Sequence, residues 1–401
     1  MVTGLGAVSA CGWGVPALER SLHAGNTEIR PLRRLDTTGH RTRVGGEVPP
    51  VPDEVRRAFA EWRRLTWADR FALAAAREAV AGAGLPESLE ALEVGVFFAS
   101  STGGMPEAER WLAQMLRDPA GARPGVLGSQ EVSGPGDAVA RRLRVCGPVE
   151  TVSSACASGA LALGGALSAL RRGEVEIAVA GGADALCVTT YAGFNALRAV
   201  DEAPCRPFRG SRAGLSLGEG AGVLVLETAA SASRRGAQVL AEVAGAGASC
   251  DAYHMTAPLP DGAAAAGAAR QALEDAGLTP AAVDFVNAHG TGTPHNDAAE
   301  WSALLGLLGE RAARVPVEAT KALVGHLLGS AGALEAVVTV LGLRAGLLHS
   351  VPGDEAVDPD TPVELVRGGP RPVPGARAAL PLNLAFGGAN AAVVLTAWRG
   401  R

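Results

Sequence analysis

The sequence predicts an α/β fold in which one layered unit occurs twice. Five short apolar segments each run into a loop of small residues, a pattern typical of a mainly parallel buried sheet. The segment AREAVAGAGL at 76–85 also resembles ARQALEDAGL at 269–278, 193 residues later. Each copy is followed by a buried strand and a Gly/Thr-rich loop. We therefore expect two α/β halves, residues 1–235 and 236–401, joined near residues 230–245.

The composition agrees with a large packed core and excludes several classes of protein. Of the 401 residues 48% are hydrophobic but only 4% aromatic, so alanine and glycine provide much of the packing. The net charge of −5 and the lack of a long basic run argue against a nucleic-acid partner. No apolar run reaches the roughly 18 residues of a membrane span, and no signal peptide is expected. The six cysteines show no C-x-x-C pairing, which indicates reduced thiols in a cytoplasmic protein.

The elements of the first half follow from apolar spacing and from glycine and proline breaks. Strands are predicted over residues 1–8, 94–99, 149–152, 175–180 and 221–226. Helices are predicted over residues 16–24, 55–83, 107–117, 138–144, 157–172 and 191–200. The Arg- and Pro-rich stretch 29–51 is expected to be a surface loop with short strands.

The second half is predicted to repeat this order. Strands are expected over residues 283–288, 315–317, 380–384 and 391–395, and helices over 269–278 and 327–343. Three strands lead into loops of small residues, at 289–293, 320–326 and 385–390. Parallel strands gather such loops on one side of the sheet, where ligands bind.

Cys156 lies where the strand 149–152 gives way to a helix. Backbone N–H groups and the positive end of a helix dipole converge at such a position. This setting predicts a lowered cysteine pKa and a nucleophilic thiolate. Taken alone, a free cysteine is more often a small buried core residue.

Two of the seven histidines, His289 and His326, also lie in Gly-rich loops after strands. A thiolate nucleophile needs nearby groups that stabilise developing negative charge, and imidazole N–H groups can do so. A zinc site of one cysteine and two histidines is disfavoured because the ligands are not clustered in sequence. A serine hydrolase is disfavoured because no G-x-S-x-G motif is present.

The chain resembles the elongating β-ketoacyl-acyl carrier protein synthases of the thiolase-like superfamily. The matching stretches occur in family order over nearly the whole chain: VTGLG at 2–6, SACASG at 154–159, AGGA at 180–183, GEGAG at 218–222, DAYHMT at 251–256, NAHGTGTP at 287–294, Lys321, GHLLGSAG at 325–332, Glu335 and FGG at 386–388. The resemblance implies a duplicated α-β-α-β-α layered fold. It also implies decarboxylative condensation of an acyl group with malonyl-acyl carrier protein.

The same resemblance implies roles for individual residues. Cys156 would carry the acyl group, and His289 and His326 would promote decarboxylation. Their expected helpers are Lys321, Glu335, the oxyanion-hole amides of Cys156 and Phe386, the phosphopantetheine contacts Thr291 and Thr293, and the gating residues Phe386, Gly387 and Gly388. No metal and no cofactor are expected, because the substrates arrive on the phosphopantetheine arm of acyl carrier protein. The expected partners are that carrier protein and a second chain, in a homodimer or in a heterodimer with a ketosynthase-like subunit.

Three departures from the family pattern bear on the substrate. The gate usually reads F-G-F-G-G, but Leu384-Ala385 stands in place of its first Phe-Gly. Thr102 stands where fatty-acid enzymes carry a bulky aliphatic side chain, and we expect its hydroxyl to face the acyl tunnel. An unpaired hydroxyl there would favour polyketide or polyene-type chains over saturated ones. The segment 123–137 also matches the family poorly.

The sequence leaves two alternative functions to consider. A chain-length subunit would shape a partner's cavity without doing chemistry, but such subunits typically lack the active cysteine. A thiolase acting on coenzyme A thioesters would use a second cysteine in the C-terminal part, and the last cysteine here is Cys250. The condensing enzyme is therefore the leading prediction.

Overall fold

The structure, a computed structural model, describes residues 1–400. The strands are β1 Val2–Ser9, β2 Gly12–Trp13, β3 Arg30–Pro31, β4 Val44–Gly45, β5 Val94–Ala99, β6 Val149–Val152, β7 Ile177–Asp184, β8 Gly220–Glu227, β9 Ala241–Cys250, β10 Phe285–Asn287, β11 Pro316–Glu318, β12 Leu347–Leu348, β13 Glu364–Leu365, β14 Arg371–Pro372, β15 Ala378–Leu384 and β16 Ala389–Ala397. The helices are α1 Val15–Ala24, α2 Asp53–Arg57, α3 Trp67–Gly82, α4 Met105–Arg117, α5 Gly134–Leu143, α6 Ser158–Arg172, α7 Val188–Ala196, α8 Ala229–Arg235, α9 Ala263–Asp275, α10 Pro294–Leu308, α11 Lys321–Val324 and α12 Ala331–Ala345.

The main sheet confirms the duplicated fold. Its strands lie in the order β13-β11-β10-β15-β16-β9-β1-β8-β7-β5-β6. The N-terminal half thus reads β1-β8-β7-β5-β6 outward from the centre, and the C-terminal half reads β9-β16-β15-β10-β11. When the five strands of each half are numbered in chain order, both halves show the same spatial order: first, last, fourth, second and third. The halves meet where Val2 of β1 pairs with Ala241 of β9.

The sheet is mixed, and the prediction of a mainly parallel sheet is wrong for its centre. Parallel pairing holds on the outer sides, where β5 pairs with β6 and β7 and β10 pairs with β11 and β15. The strands β8 and β16 run antiparallel to both of their neighbours. Apolar runs indicate that a strand is buried on both faces, but they carry no information on its direction.

Helices form three layers around the strands. The helices α6 and α12 pack against each other and against strands of both halves, so they form the central layer. The helix α3 covers β1 and β8 on one outer face, and α9 covers β9 and β16 on the other. The segment Leu328–Ala345 is long and apolar enough to cross a membrane, but 89% of it is buried inside the protein. It is therefore the core helix of this layer.

Several predicted elements differ in extent from those in the structure. The single helix expected over 55–83 is divided into α2, a short 3-10 turn and α3. Thr66 starts α3 anew, because its hydroxyl accepts from Asp69 N–H while the Asp69 carboxylate accepts from Thr66 N–H. The helix expected to begin at residue 327 begins at Ala331, after a 3-10 turn. The strand β9 and the helix α10 were not predicted. The strand β9 is rich in alanine and glycine, and Val243 is its one strand-favouring residue.

Candidate active site

The structure brings Cys156, His289 and His326 together. Cys156 precedes α6, His289 follows β10 and His326 follows α11. The cysteine sulfur and one ring nitrogen of each histidine all lie within 4.8 Å of one another. The two imidazole rings meet edge to face, with centroids 5.4 Å apart. Three loops that are distant in sequence therefore form one site.

The turn before Cys156 is held in an unusual backbone conformation. Ala155 has φ 45°, in the left-handed region that non-glycine residues rarely adopt. The Ser158 hydroxyl stabilises this turn by donating to the Ala155 carbonyl at 2.6 Å and accepting from Ser154 N–H at 2.7 Å. A strained residue immediately before a nucleophile is typical of functional sites, where the surrounding structure imposes the geometry.

The thiol of Cys156 is buried, with 7% of the residue exposed. Burial raises its pKa to about 11, although the Lys321 charge and the backbone N–H of Phe386 lower it. The prediction of a lowered cysteine pKa is therefore wrong. The N-terminus of α6 is close, but removal from water opposes ionisation more strongly than these favourable groups promote it. In the resting site Cys156 is a thiol.

Lys321 holds the His289 ring through a contact with its Nδ1 atom. Its Nζ lies 3.1 Å from His289 Nδ1 and 2.5 Å from Glu335 Oε1. Asn383 Nδ2 donates to the other oxygen of Glu335 at 2.7 Å, so the carboxylate is held at both ends. Because an ammonium group only donates, His289 Nδ1 is the acceptor and Nε2 carries the ring hydrogen. The expected grouping of Lys321 and Glu335 with His289 is thus present.

His326 has the same tautomer for a different reason. Its Nδ1 accepts from Leu328 N–H at 3.1 Å, so Nε2 again carries the hydrogen. This Nε2 is buried and has no partner within residues 1–400. Burial, together with the Lys321 charge, holds the pKa of both histidines well below 6.5. The site therefore holds two neutral imidazoles, each with a free Nε2–H group.

This donor set fits oxyanion stabilisation better than metal binding. A metal ion needs an unprotonated ring nitrogen, but in both histidines the lone-pair nitrogen already accepts a hydrogen bond. The remaining Nε2–H groups are suited to bind an enolate or a carbonyl oxygen.

The loop 385–388 closes the site from the opposite side. The backbone N–H of Phe386 is close enough to the Cys156 thiol to lower its pKa, and the Phe386 ring stacks on Phe194 with centroids 5.5 Å apart. Gly387 and Gly388 have φ 85° and 84°, a region that favours glycine. Gly387 N–H donates to the Met255 carbonyl at 2.8 Å, which ties the loop to the segment after β9.

A cavity of about 490 Å³ connects this site with the surface. Its lining includes Cys156, both histidines and Phe386, together with Thr291 and Thr293. The two threonine hydroxyls lie 2.9 Å apart along the cavity wall. The volume lies within the range of small-molecule sites.

Thr102 does not fit its predicted environment. Its hydroxyl donates to Asp184 Oδ1 at 2.9 Å, and it is not among the residues that line the cavity of Cys156. Asp184 also accepts from Ser100 Oγ and Ser101 N–H at 2.9 and 2.8 Å, so this carboxylate organises the turn after β5. The hydroxyl is paired, which removes the argument from Thr102 for polyene-type chains.

Sequence reasoning missed three residues that shape the site. Phe194 stacks on the gate. Glu300 accepts from His289 N–H and Gly290 N–H at 2.6 and 2.8 Å, while Asp297 accepts from Gly292 N–H at 3.2 Å. Both acids are fully buried on α10, and burial raises the pKa of Glu300 to about 8 and that of Asp297 to about 6. An acidic pair at i and i+3, directly after a Gly/Thr loop, was the available signal.

Comparisons with known proteins agree with this site. The family model described as "Beta-ketoacyl synthase, N-terminal domain" matches residues 1–232, and its C-terminal counterpart matches residues 240–353. A 3-oxoacyl-[acyl-carrier-protein] synthase 2 of Synechocystis is 35% identical over 399 residues, covering 97% of this chain and 96% of that relative.

Solved structures are similar over almost the whole chain. The ishigamide ketosynthase/chain length factor is 36% identical, with a TM-score of 0.94 over 99% of this chain and 98% of that one. A type II ketosynthase in complex with its acyl carrier protein is 29% identical, with a TM-score of 0.89 over 99% and 98% of the two chains.

Proposed function

The chain belongs to the β-ketoacyl synthase family, and we propose which of its residues carry out the condensation. The enzyme is an acyltransferase that condenses an acyl group with a malonyl unit held on acyl carrier protein. The observation that supports the assignment is that the Cys156 sulfur and one ring nitrogen of each histidine lie within 4.8 Å of one another.

In the loading step, Cys156 takes the acyl group. Its sulfur attacks the thioester carbonyl of the acyl carrier protein, and the backbone N–H groups of Cys156 and Phe386 stabilise the resulting oxyanion. The bond from the acyl carbon to the pantetheine sulfur breaks, and the thiol proton of Cys156 leaves with that sulfur. The raised pKa of Cys156 means that this proton moves as the substrate sulfur departs.

In the condensation step, His289 and His326 act on the malonyl unit. Loss of CO₂ leaves an enolate whose oxygen accepts hydrogen bonds from the two Nε2–H groups. The enolate carbon then attacks the acyl carbonyl, a carbon–carbon bond forms and the acyl–sulfur bond breaks. The released thiolate takes up one proton, because its pKa is about 11. Lys321 and Glu335 position His289 during this step.

Substrate delivery needs no separate cofactor in this scheme. We assign Thr291 and Thr293 to the phosphopantetheine arm, because both line the cavity that leads to Cys156. Gly387 and Gly388 allow the backbone turn that follows the gating residue Phe386. We place the enzyme in the cytoplasm, where its six free cysteines stay reduced. We also place the boundary between the halves at residues 235 and 236, between α8 and β9.

A second possibility concerns assembly. The similarity to a ketosynthase/chain length factor structure favours a heterodimer in which this chain is the active subunit. Cys156 and both histidines argue that it is not the chain length factor itself. The acyl chain belongs either to a fatty-acid or to a polyketide or polyene pathway, and the Leu384-Ala385 gate is the feature that departs from fatty-acid enzymes.

The test separates loading from decarboxylation. With acyl carrier protein as donor, intact-mass spectrometry should show one acyl group on the wild type and none on Cys156→Ala. His289→Ala and His326→Ala should still load but release CO₂ from malonyl-acyl carrier protein roughly 10² times more slowly, as expected for a lost oxyanion donor. Covalent loading of Cys156→Ala, or wild-type decarboxylation by both histidine variants, would refute these assignments.

A further inference from the structure

A second cluster of buried polar groups lies behind the catalytic loops. Glu318 ends β11 and His349 follows β12, and they are only 1% and 4% exposed. His349 Nε2 lies 3.5 Å from Glu318 Oε2, and the His349 backbone N–H donates to the same oxygen at 3.3 Å. Neither residue lines the cavity of Cys156. The two side chains therefore do not touch the substrate.

The surrounding hydrogen bonds fix which ring nitrogen of His349 carries the hydrogen. His349 Nδ1 lies 3.2 Å from the Ser350 carbonyl oxygen, which can only accept. Nδ1 thus carries the ring hydrogen, and Nε2 offers a lone pair to Glu318. Burial raises the pKa of Glu318 to about 8 and lowers the pKa of His349 to about 4. At neutral pH a protonated carboxyl group therefore faces a neutral imidazole.

Two side chains connect this pair with the catalytic loops. Asn287 Nδ2 donates to Glu318 Oε1 at 3.2 Å, and Thr320 Oγ1 lies 3.4 Å from His349 Nε2. Thr320 Oγ1 also donates to Asn287 Oδ1 at 3.2 Å, which closes a ring of polar contacts. Asn287 stands two residues before His289, and Thr320 directly precedes Lys321.

A small cavity of about 30 Å³ reaches the pair from the surface of α1. This volume is sufficient for a water molecule, so the Glu318 carboxyl proton can exchange with solvent. The titratable groups facing the pair from α1 are Glu19 and His23, and no Lys or Arg lines this cavity. On the catalytic side Lys321 and Glu335 pair with each other, and no charged group is among the causes that shift the pKa of Glu318. An ionised Glu318 would therefore lack a cation.

We propose that Glu318 and His349 are positioning residues: the neutral carboxyl group of Glu318 and the neutral ring of His349 hold Asn287 and Thr320, and through them His289 and Lys321, in their active arrangement. Loss of the carboxyl proton at alkaline pH places an uncompensated negative charge beneath both catalytic loops. The condensation rate then falls while acyl loading on Cys156 continues. This inference rests on the roles proposed above for His289 and Lys321.

The experiment compares a mimic of the protonated carboxyl group with a variant that lacks it. Glu318→Gln keeps an oxygen for Asn287 and an N–H for the His349 ring, but it cannot ionise. The His349 backbone N–H loses its acceptor in this variant, which lowers the stability of the protein and leaves the pH profile as the decisive measurement. Glu318→Gln should retain malonyl decarboxylation at pH 7 within about threefold and lose the decrease in rate that the wild type shows above about pH 8. Glu318→Leu should decarboxylate at least tenfold more slowly at pH 7, yet load acyl groups on Cys156 normally. Normal loading also shows that this variant is folded.

Glu19→Gln, at the mouth of the cavity, is the matched control and should keep both the rate and the pH profile of the wild type. Wild-type decarboxylation in Glu318→Leu, or an unchanged alkaline decrease in Glu318→Gln, would overturn the proposal. A parallel measurement on His289→Ala distinguishes failure of the proposed function from failure of the positioning role. If that variant also decarboxylates normally, the proposed function fails; if only Glu318→Leu does, the positioning role alone fails.

Discussion

His289 and His326 lie buried beside Lys321, and this setting fixes both their hydrogen positions and their charge. Each Nδ1 accepts a hydrogen bond, from Lys321 Nζ or from Leu328 N–H, and each Nε2–H remains free. Burial and the neighbouring ammonium charge keep both imidazoles neutral by lowering their pKa. Each of the two residues can thus donate a hydrogen bond without carrying a positive charge into the site.

This neutrality predicts how stability depends on pH. As the pH falls below about 6.5, the unfolded chain binds protons on these imidazoles but the folded chain does not. The stability that these neutral imidazoles contribute to the folded state is fully present above pH 6.5. Below that pH the free energy of unfolding decreases by up to about 1.4 kcal/mol per pH unit for each histidine. Denaturant unfolding at pH 7.5 and 5.5 should show a smaller pH effect in His326→Asn than in the wild type. The exposed His23→Asn should behave like the wild type, and equal slopes for all three proteins would contradict the prediction.

Glu300 is the acidic residue on which the His289 loop most depends. Its two oxygens accept from the backbone N–H groups of His289 and Gly290. Glu300→Gln has one acceptor oxygen, so one buried N–H loses its partner at a cost of about 1–3 kcal/mol. We expect a lower thermal midpoint and slower decarboxylation. The exposed Glu310→Gln should leave both unchanged, and a Glu300→Gln variant as stable and active as the wild type would exclude this role.

At the scale of elements, close packing of helix on sheet depends on small residues. A Cβ on Gly4 would lie 2.0 Å from the Ala79 carbonyl oxygen, and one on Gly6 would lie 1.9 Å from that of Ala75. Both glycines belong to β1 and both oxygens to α3. The strand and helix therefore touch through their backbones, which alanine- and glycine-rich sequences allow.

The contact predicts a large effect of a single methyl group. Gly6→Ala must push α3 away from β1, and overpacking of this kind costs about 1–3 kcal/mol. Gly82→Ala, at the exposed end of the same helix, meets no atom within 4 Å and should be neutral or stabilising by up to about 1 kcal/mol. Denaturant unfolding of the two variants measures the difference. A Gly6→Ala protein as stable as the wild type would show that the layers separate without cost.

At the scale of the whole molecule, the N-terminal half leaves apolar surface uncovered. The strand β6 is at the edge of the sheet with Val149 39% exposed, and α4 presents Leu112 and Leu116 at 52% and 77%. Exposed apolar patches and free strand edges on a folded chain commonly mark interfaces. They agree with a dimer built around the sheet edge and helices of this half.

Light scattering should therefore give about twice the chain mass of 40.4 kDa, either alone or after addition of a ketosynthase-like partner. Leu116→Asp should weaken this association, since it places a charge in the interface. Leu305→Asp, at a leucine 47% exposed on α10, is the control and should not. An active monomer in the presence of the partner would refute the prediction.

The sequence alone indicated the repeated α/β unit, most strands and the three residues Cys156, His289 and His326 that the structure brings together. Apolar periodicity reports burial, and a glycine-rich loop after a strand marks a place where chemistry can occur. The motifs at Cys156, His289 and His326 were therefore readable without coordinates. Strand direction could not be predicted from the sequence, because buried strands show the same apolar pattern whether their neighbours are parallel or antiparallel.

Only the tertiary structure decided the electrostatics of the site. The pKa of Cys156 depends on how completely water is removed from the thiol, and local sequence carries little information on this burial. The pairing of the Thr102 hydroxyl with Asp184, 82 residues away, and the support of the His289 loop by Glu300 are likewise contacts across the fold. Such interactions depend on which chain segments meet in space, and that is set by the packing of the whole chain.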